Sequence, residues 1–251
     1  MKNNLIKYLL MACIISTGLS SCVEDNYAPP AETFTGAFVD MQTKEPFQTA
    51  IGNTGARITL MEYSWSENPT PYYMYCKMNG EFNNSKIFEG EYGVRAEGAF
   101  VPVEEEIIDL KGVVERTYEV DPFLRVEWIG EPVLNADGTA TIQVKITRGT
   151  SDPDYQHPLS EVWLFVSENQ YVGDFSFSPN FSTHLLGATL PVLGETITIT
   201  TGWPGGIGTG AQKTFPDYER KYFLRVGART NTQVNGTNVY NYSKIKEITT
   251  K

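Results

Sequence analysis

The residue types able to make or break covalent bonds are sparse in this sequence. Histidine occurs only at His157 and His184, and neither has another histidine at helical or hairpin spacing. Cysteine occurs at Cys13, Cys22 and Cys76. A zinc cluster or a Cys–His nucleophile needs partners that the sequence does not place near Cys76. That residue therefore reads as a small, buried strand residue. Glu104, Glu105 and Glu106 form an acidic run, and Asp152, Asp154 and Glu161 are scattered. Two carboxyls facing across a cleft could run glycoside hydrolysis, but no spacing here sets such a pair, and acidic runs are mostly solvated faces. The segment G-W-P-G-G-I-G-T-G at 202–210 lacks the Gly-Lys-Ser/Thr ending of a phosphate loop, and no helical pattern follows to receive a phosphate. No catalytic residue, metal site or cofactor is assigned.

Aromatic residues are the positive signal. Tyr63, Trp65, Tyr72 and Tyr73 surround a polar, proline-containing loop in Y-S-W-S-E-N-P-T-P-Y-Y at 63–73. A second loop, 170–181, carries Tyr171, Phe175, Phe177 and Phe181, and Trp203 sits in the glycine-rich segment. Aromatic faces with polar rims suit amphipathic partners such as sugars. Tyr63, Trp65, Tyr72, Tyr73, Tyr171, Phe177 and Trp203 are the candidate ligand-binding residues. The plainer reading is that alternate rings fill a core. Trp128 and Trp163, inside strand patterns, are expected there.

The frame that must position these rings is β throughout. Alternating, β-branched and aromatic runs recur between Gly, Pro, Asn and Asp, and no stretch of about 12 residues carries a helical apolar stripe. Strands are predicted at 33–40, 56–63, 72–78, 90–97, 107–110, 123–130, 139–148, 161–167, 196–201, 221–229 and 242–249. N-A-D-G at 135–138 reads as a hairpin turn. The fold class is all-β, with two consecutive β-sandwich domains at 33–121 and 122–251, divided near Asp121-Pro122 where the proline resets the chain.

The first residues read as a processing segment. Lys2 and Lys7 precede a short apolar run, Leu9 to Ile15, too short to span a bilayer. L-S-S-C at 19–22 resembles the bacterial lipobox, which implies a signal peptide over 1–21 and lipidation of Cys22. Acylation would hold the body at a membrane surface. V-E-D-N-Y-A-P-P follows, and 22–32 is expected to be an acidic, proline-containing tether. Acidic residues directly after the lipidated cysteine resemble the surface-export signal of Bacteroidetes lipoproteins, implying the outer face of the outer membrane. With Cys13 removed and Cys22 acylated, Cys76 has no partner, so the fold must be held by its core. Removing residues 1–21 takes two lysines and no acid, moving the net charge from −10 to −12. Nucleic-acid binding needs clustered Lys and Arg and is not expected.

Three family resemblances sharpen the frame. G-A-F-V-D-M-Q-T-K-E-P-F, A-R-I-T-L, M-N-G-E-F-N and F-E-G-E-Y-G-V, spread over about 33–112, resemble the carboxypeptidase-regulatory or transthyretin-like β-sandwich. That family implies turns at Gly80 and Gly90, inward Phe82, Tyr92 and Val94, and no catalytic residues. Y-F-L-R-V-G-A at 222–228 and Y-S-K-I-K-E-I at 242–248 resemble the last strands of a fibronectin type III or immunoglobulin-like sandwich. Tyr222, Leu224 and Val226, or the opposite set, then face its core. Taken together, the lipobox, M-E-Y-S-W-S-E-N-P-T-P-Y-Y at 61–73, E-G-A-F-V-P-V at 97–103 and R-V-G-A-R-T-N at 225–231 resemble, over essentially the whole mature chain, an uncharacterised family of two-domain Bacteroidetes lipoproteins associated with outer-membrane glycan importers. The resemblance implies a non-enzymatic surface lipoprotein that binds or positions polysaccharide or oligosaccharide and works beside importer proteins. An interaction partner of that machinery without glycan contact is the alternative, and a glycoside hydrolase the remote one.

Overall fold

A period of two places alternate side chains on opposite faces of a strand, so one face can be apolar and the other wet. The computed structural model describes residues 28–251. The signal segment and the expected lipidation site at Cys22 lie outside the described residues. Ala31–Lys251 form one compact unit.

The first half supplies β1 (Glu32–Asp40), β2 (Arg57–Glu62), β3 (Tyr72–Tyr75), β4 (Glu81–Ile87), β5 (Gly90–Glu97), β6 (Glu106–Leu110) and β7 (Val113–Val120). They form a three-stranded sheet in the order β4-β1-β7 and a four-stranded sheet in the order β3-β2-β5-β6. Strands β1 and β7 run parallel, from Thr33 beside Val113 to Asp40 beside Val120. The two sheets close on Phe34, Phe38, Phe82, Ile58, Leu60 and Val94, all buried. Burying such a side chain contributes roughly 1.5–3 kcal/mol. Phe82, Tyr92 and Val94 point inward as expected. Gly80 has φ +79°, a left-handed turn that favours glycine. Gly90 does not; a side chain there would instead meet the Ser64 hydroxyl.

The second half supplies β8 (Leu124–Trp128), β9 (Val133–Leu134), β10 (Ala140–Arg148), β11 (Leu159–Ser167), β12 (Thr183–Leu185), β13 (Thr196–Thr200), β14 (Lys221–Thr230), β15 (Gln233–Val234), β16 (Thr237–Asn238), β17 (Asn241–Tyr242) and β18 (Lys246–Thr249). One sheet runs β13-β10-β8, with β9 also on β10; the other runs β12-β11-β14, with β17 and β18 sharing the far edge of β14. Between them lie Tyr222, Leu224, Val226, Ile142, Val144 and Leu164. The chain is all-β, built of sandwiches.

Two features depart from the sequence reading. The 170–181 loop folds over the outer face of β11 and β14, making a third apolar layer of Phe165, Val172, Tyr240 and Tyr242 with Trp163, Phe175 and Phe177 against it. Gly227 makes room for that layer, since a Cβ there would lie 2.8 Å from the Phe165 ring. The β15–β16 hairpin leaves the second half and packs on the first: Val239 joins the first core and Val234 packs against it.

Polar contacts rivet the halves together. Arg125 grips Asp40 through two bonds, Nε to Oδ2 at 2.6 Å and Nη2 to Oδ1 at 2.9 Å. Asn241 accepts from the Leu124 amide at 3.0 Å and donates to the Ala99 carbonyl at 2.7 Å. Arg225, fully buried, donates to the carbonyls of Ser243 at 3.0 Å and Met78 at 3.3 Å, with its guanidinium 4.3 Å from the Tyr242 ring centre.

Candidate functional site

The outer face of the β3-β2-β5 sheet carries side chains whose register brings them into rows. Arg57 lies opposite Tyr75 on one side and Glu97 on the other; Thr59 lies opposite Tyr73 and Arg95; Met61 lies opposite Gly93. Inward-facing Ile58, Leu60, Met74, Val94 and Ala96 anchor the same strands in the core, so the outward set is fixed by alternation.

Asn53, Arg57, Tyr73, Tyr75, Glu97 and Asn235 line a cleft of about 250 Å³ here, with the β15–β16 hairpin as its far wall. Tyr73 and Tyr75 are each 43% exposed. The Arg57 guanidinium stacks over the Tyr73 ring at 4.2 Å, and its Nε donates to Glu97 Oε2 at 2.6 Å. Among the described residues that is its one hydrogen bond, so both Nη amino groups stay available. The Tyr75 hydroxyl donates to Asn53 Oδ1 at 2.6 Å, which leaves the Asn53 amide nitrogen for a ligand. Glu97 also accepts from the Thr59 hydroxyl at 2.8 Å. Burial alone would raise the Glu97 pKa; hydrogen bonds from Arg57, Thr59 and Asn235 and the Arg57 charge outweigh it and hold the carboxyl below its ordinary range. Asn235 and Gly236 have φ +50° and +73°, the two left-handed residues of a type I′ hairpin, which aims the Asn235 side chain at Glu97.

The face continues along β2. Tyr63 lies across Gly93 and donates its hydroxyl to Glu105 Oε1 at 2.8 Å. Glu105 is also paired with Arg95. Burial pushes the Glu105 pKa up, but bonds from Arg95 and Tyr63 outweigh it and lower it; the same bond to Glu105 raises the Tyr63 phenol. Glu106 pairs with Arg116 at 2.9 Å and accepts from the Tyr118 hydroxyl. Two members of the acidic run are therefore internal partners of arginines.

The sequence candidates separate. Tyr73 lines the cleft and Tyr63 extends its face. Tyr72 (52% exposed) opens β3 on the opposite side from Tyr73 and accepts from the Asn84 amide at 2.9 Å; Trp65, 63% exposed, stands in the adjoining loop. Tyr171 is exposed on the far half, and Phe177 packs on Trp163 and Phe165 with ring centres 5.3 Å away in each case. Trp203 is half-buried, its amide and carbonyl tied to Thr183 and His184. Trp128 and Trp163 are half-buried rather than central; the Trp128 indole donates to the Lys244 carbonyl at 2.7 Å and the Trp163 indole to Glu161 at 2.7 Å. Cys76 is buried in the first core, and burial pushes its thiol up to about 12. No group of three or more His, Cys, Asp or Glu able to hold a metal exists among the described residues.

Arg57, Tyr75, Glu97, Asn53 and Asn235 were not singled out from the sequence. Alternation in A-R-I-T-L and Y-Y-M-Y puts Arg57, Tyr73 and Tyr75 on outer faces, but only the strand register brings them together. V-N-G-T at 234–237 is itself a hairpin signature.

A larger cavity, about 470 Å³, lies at the junction of the halves beside Phe47, Leu124, Val126 and Trp128. Its principal polar groups are already committed: Arg125 to Asp40 and the Gly149 carbonyl, Asn241 to backbone, Lys244 to Glu45 at 2.7 Å. The sheet-face cleft is the better candidate because the two Nη groups of Arg57 and the amide nitrogen of Asn53 remain unspent there.

Fold and cleft together define an all-β protein of sandwich domains with an open aromatic and polar face. Residues 32–121 match the DUF3823 N-terminal domain, described as a protein of unknown function. A crystal structure of a DUF3823 family protein from Bacteroides uniformis is 29% identical with TM-score 0.76, covering 87% of this chain and 99% of that one. A second Bacteroides uniformis structure, of a candidate carbohydrate-binding protein, is 22% identical with TM-score 0.67 over 87% of this chain and 99% of that one. A DUF3823 family protein from Parabacteroides merdae is 18% identical with TM-score 0.59, over 89% and 100%. No curated protein matches the sequence.

Proposed function

We propose that this protein is a non-catalytic glycan-binding lipoprotein of the cell envelope. The observation that carries the reading is the cleft in which a stacked Arg57–Tyr73 pair, an exposed Tyr75 and the Arg57–Glu97 ion pair share one sheet face. Sugars present apolar ring faces and hydroxyls that both donate and accept; tyrosine rings match the first and an arginine–glutamate pair the second. Among the described residues Glu97 is the one carboxylate lining the cleft, and it is held ionised by its partners, which suits an acceptor and not a general acid. The description of the 22%-identical Bacteroides uniformis neighbour accords with this reading.

Anchoring through Cys22, export to the outer face of the outer membrane and service beside a glycan importer complete the proposal. The L-S-S-C motif supports the anchor and the acidic residues after it the export, while the place beside an importer rests on the family resemblance alone. Cys22→Ala is expected to release the protein from membranes into the soluble fraction; continued membrane retention contradicts lipidation.

Affinity electrophoresis through gels containing a panel of polysaccharides tests the binding claim. Wild type is expected to be retarded by at least one glycan, with Arg57→Ala and Tyr73→Ala each weakening binding by about tenfold or more, the equivalent of roughly 1.4 kcal/mol. A wild-type chain that migrates unretarded through every gel refutes glycan binding and favours the protein-interaction accessory.

A further inference from the structure

The cleft is one end of a longer surface. Its rows are stacked along β2 and β5: Tyr75–Arg57–Glu97, then Tyr73–Thr59–Arg95, then Met61–Gly93 with the Tyr63 ring laid over the glycine. Successive outward residues on a strand are separated by two residues, so the first and third rows lie about 14 Å apart. That distance exceeds the length of a single sugar ring. The arginines on this face are neutralised, because Arg57 pairs with Glu97 and Arg95 with Glu105, while exposed Glu91 and Asp109, opposite each other on β5 and β6, add negative charge that opposes an anion. The chain as a whole carries −10, which opposes anionic polymers.

Building on the glycan reading, we infer that this face takes an uncharged oligosaccharide laid along the strands, with hydroxyls read by Arg57 and Glu97 at one end and a further sugar unit stacked on Tyr63 at the other. The geometry assigns two separable contributions. The Arg57 end holds any chain long enough to enter the cleft. The Tyr63 end adds affinity only for chains long enough to reach Gly93. A neutral ligand held by hydrogen bonds and stacking is insensitive to ionic strength, whereas an anionic one loses affinity as salt screens the arginines.

Titration calorimetry on the full chain tests this with three probes: neutral gluco-, manno- and xylo-oligosaccharide ladders from monomer to hexamer, and matched oligogalacturonides, each at low and high salt. Wild type is expected to bind one neutral ladder about tenfold more tightly at the long end than at the short end, with little change on adding salt. Tyr63→Ala should erase that gain while keeping short-chain binding, Tyr63→Phe should keep it, and Arg57→Ala should weaken every length. Tighter, salt-sensitive binding of the oligogalacturonides would overturn the inference and leave the glycan reading standing. An unchanged length dependence in Tyr63→Ala would overturn it too. Failure of wild type to bind any sugar, neutral or charged, would overturn both.

Discussion

Gly93 shows how a missing side chain shapes the binding face. A Cβ there would come within 2.6 Å of the Tyr63 ring, so the ring can cross the sheet only because position 93 is glycine. Gly93→Ala is expected to push Tyr63 off Glu105 and to cost about 1 kcal/mol, the low end of overpacking penalties because Glu105 is flexible. Chemical denaturation measures the cost, and the same variant should bind long glycans less well; unchanged stability and binding would contradict the packing account. Cys76 makes the opposite point. It is buried, and burial pushes its thiol up to about 12, so the thiolate needed for alkylation is scarce. In a chain lacking residues 1–22, iodoacetamide at mild alkaline pH is expected to modify Cys76 only after unfolding. Labelling of the native protein at the rate of a free thiol would contradict its burial.

At the scale of elements, the cleft depends on the β15–β16 hairpin reaching from the second half of the chain to the first. Gly236 adopts φ +73°, so Gly236→Val imposes left-handed strain on a β-branched residue, at about 1–2 kcal/mol or more. The expected result is weaker glycan binding with a melting temperature lowered by only a few degrees; undiminished affinity would show that the hairpin wall is dispensable. Much of this frame was legible in the sequence. β10 alternates cleanly, and Phe82, Tyr92 and Val94 face inward as expected; for β14 the sequence left two faces open, and the structure turns Tyr222, Leu224 and Val226 into the core. β7 was missed because V-V-E-R-T-Y-E-V buries little beyond Tyr118 and Val120, and its pairing is parallel, with β1 at the opposite end of the sandwich sequence. The aromatic loop at 170–181 was recognised, but composition cannot tell a ring that projects from one that roofs a sheet. The cleft was half legible: Tyr73 by its type, Arg57 and Glu97 only through the register that sets them side by side.

Across the whole molecule, the halves are joined by buried polar groups whose partners lie far apart in sequence. Asp40 and Arg125 each expose 10% of their side chains. Burial raises the Asp40 pKa, but the Arg125 bond, the Thr43 and Gln42 amides and the arginine charge outweigh it and leave the pKa lowered. A carboxyl lowered in the folded state stabilises fully above its unfolded pKa, about 3.9, and loses that contribution as pH falls from there toward the folded value. Thermal melts between about pH 6 and pH 2 should therefore show a steep acid limb that Asp40→Asn flattens, with the variant about 1.5–3 kcal/mol less stable at neutral pH because Arg125 loses its two charge-assisted bonds and keeps, among the described residues, only the Gly149 carbonyl and Asp121 at 3.6 Å. Parallel acid limbs in the two proteins would contradict the role given to this pair. The joint also fixes where the hairpin falls, and so connects stability to the site. The central claim, that the outer face of β2, β3 and β5 is the glycan site, is tested most directly by a crystal structure with a bound oligosaccharide. The account predicts a sugar ring against Tyr73 and Tyr75 with hydroxyls on Arg57; a sugar lodged instead in the junction cavity beside Trp128 would contradict it.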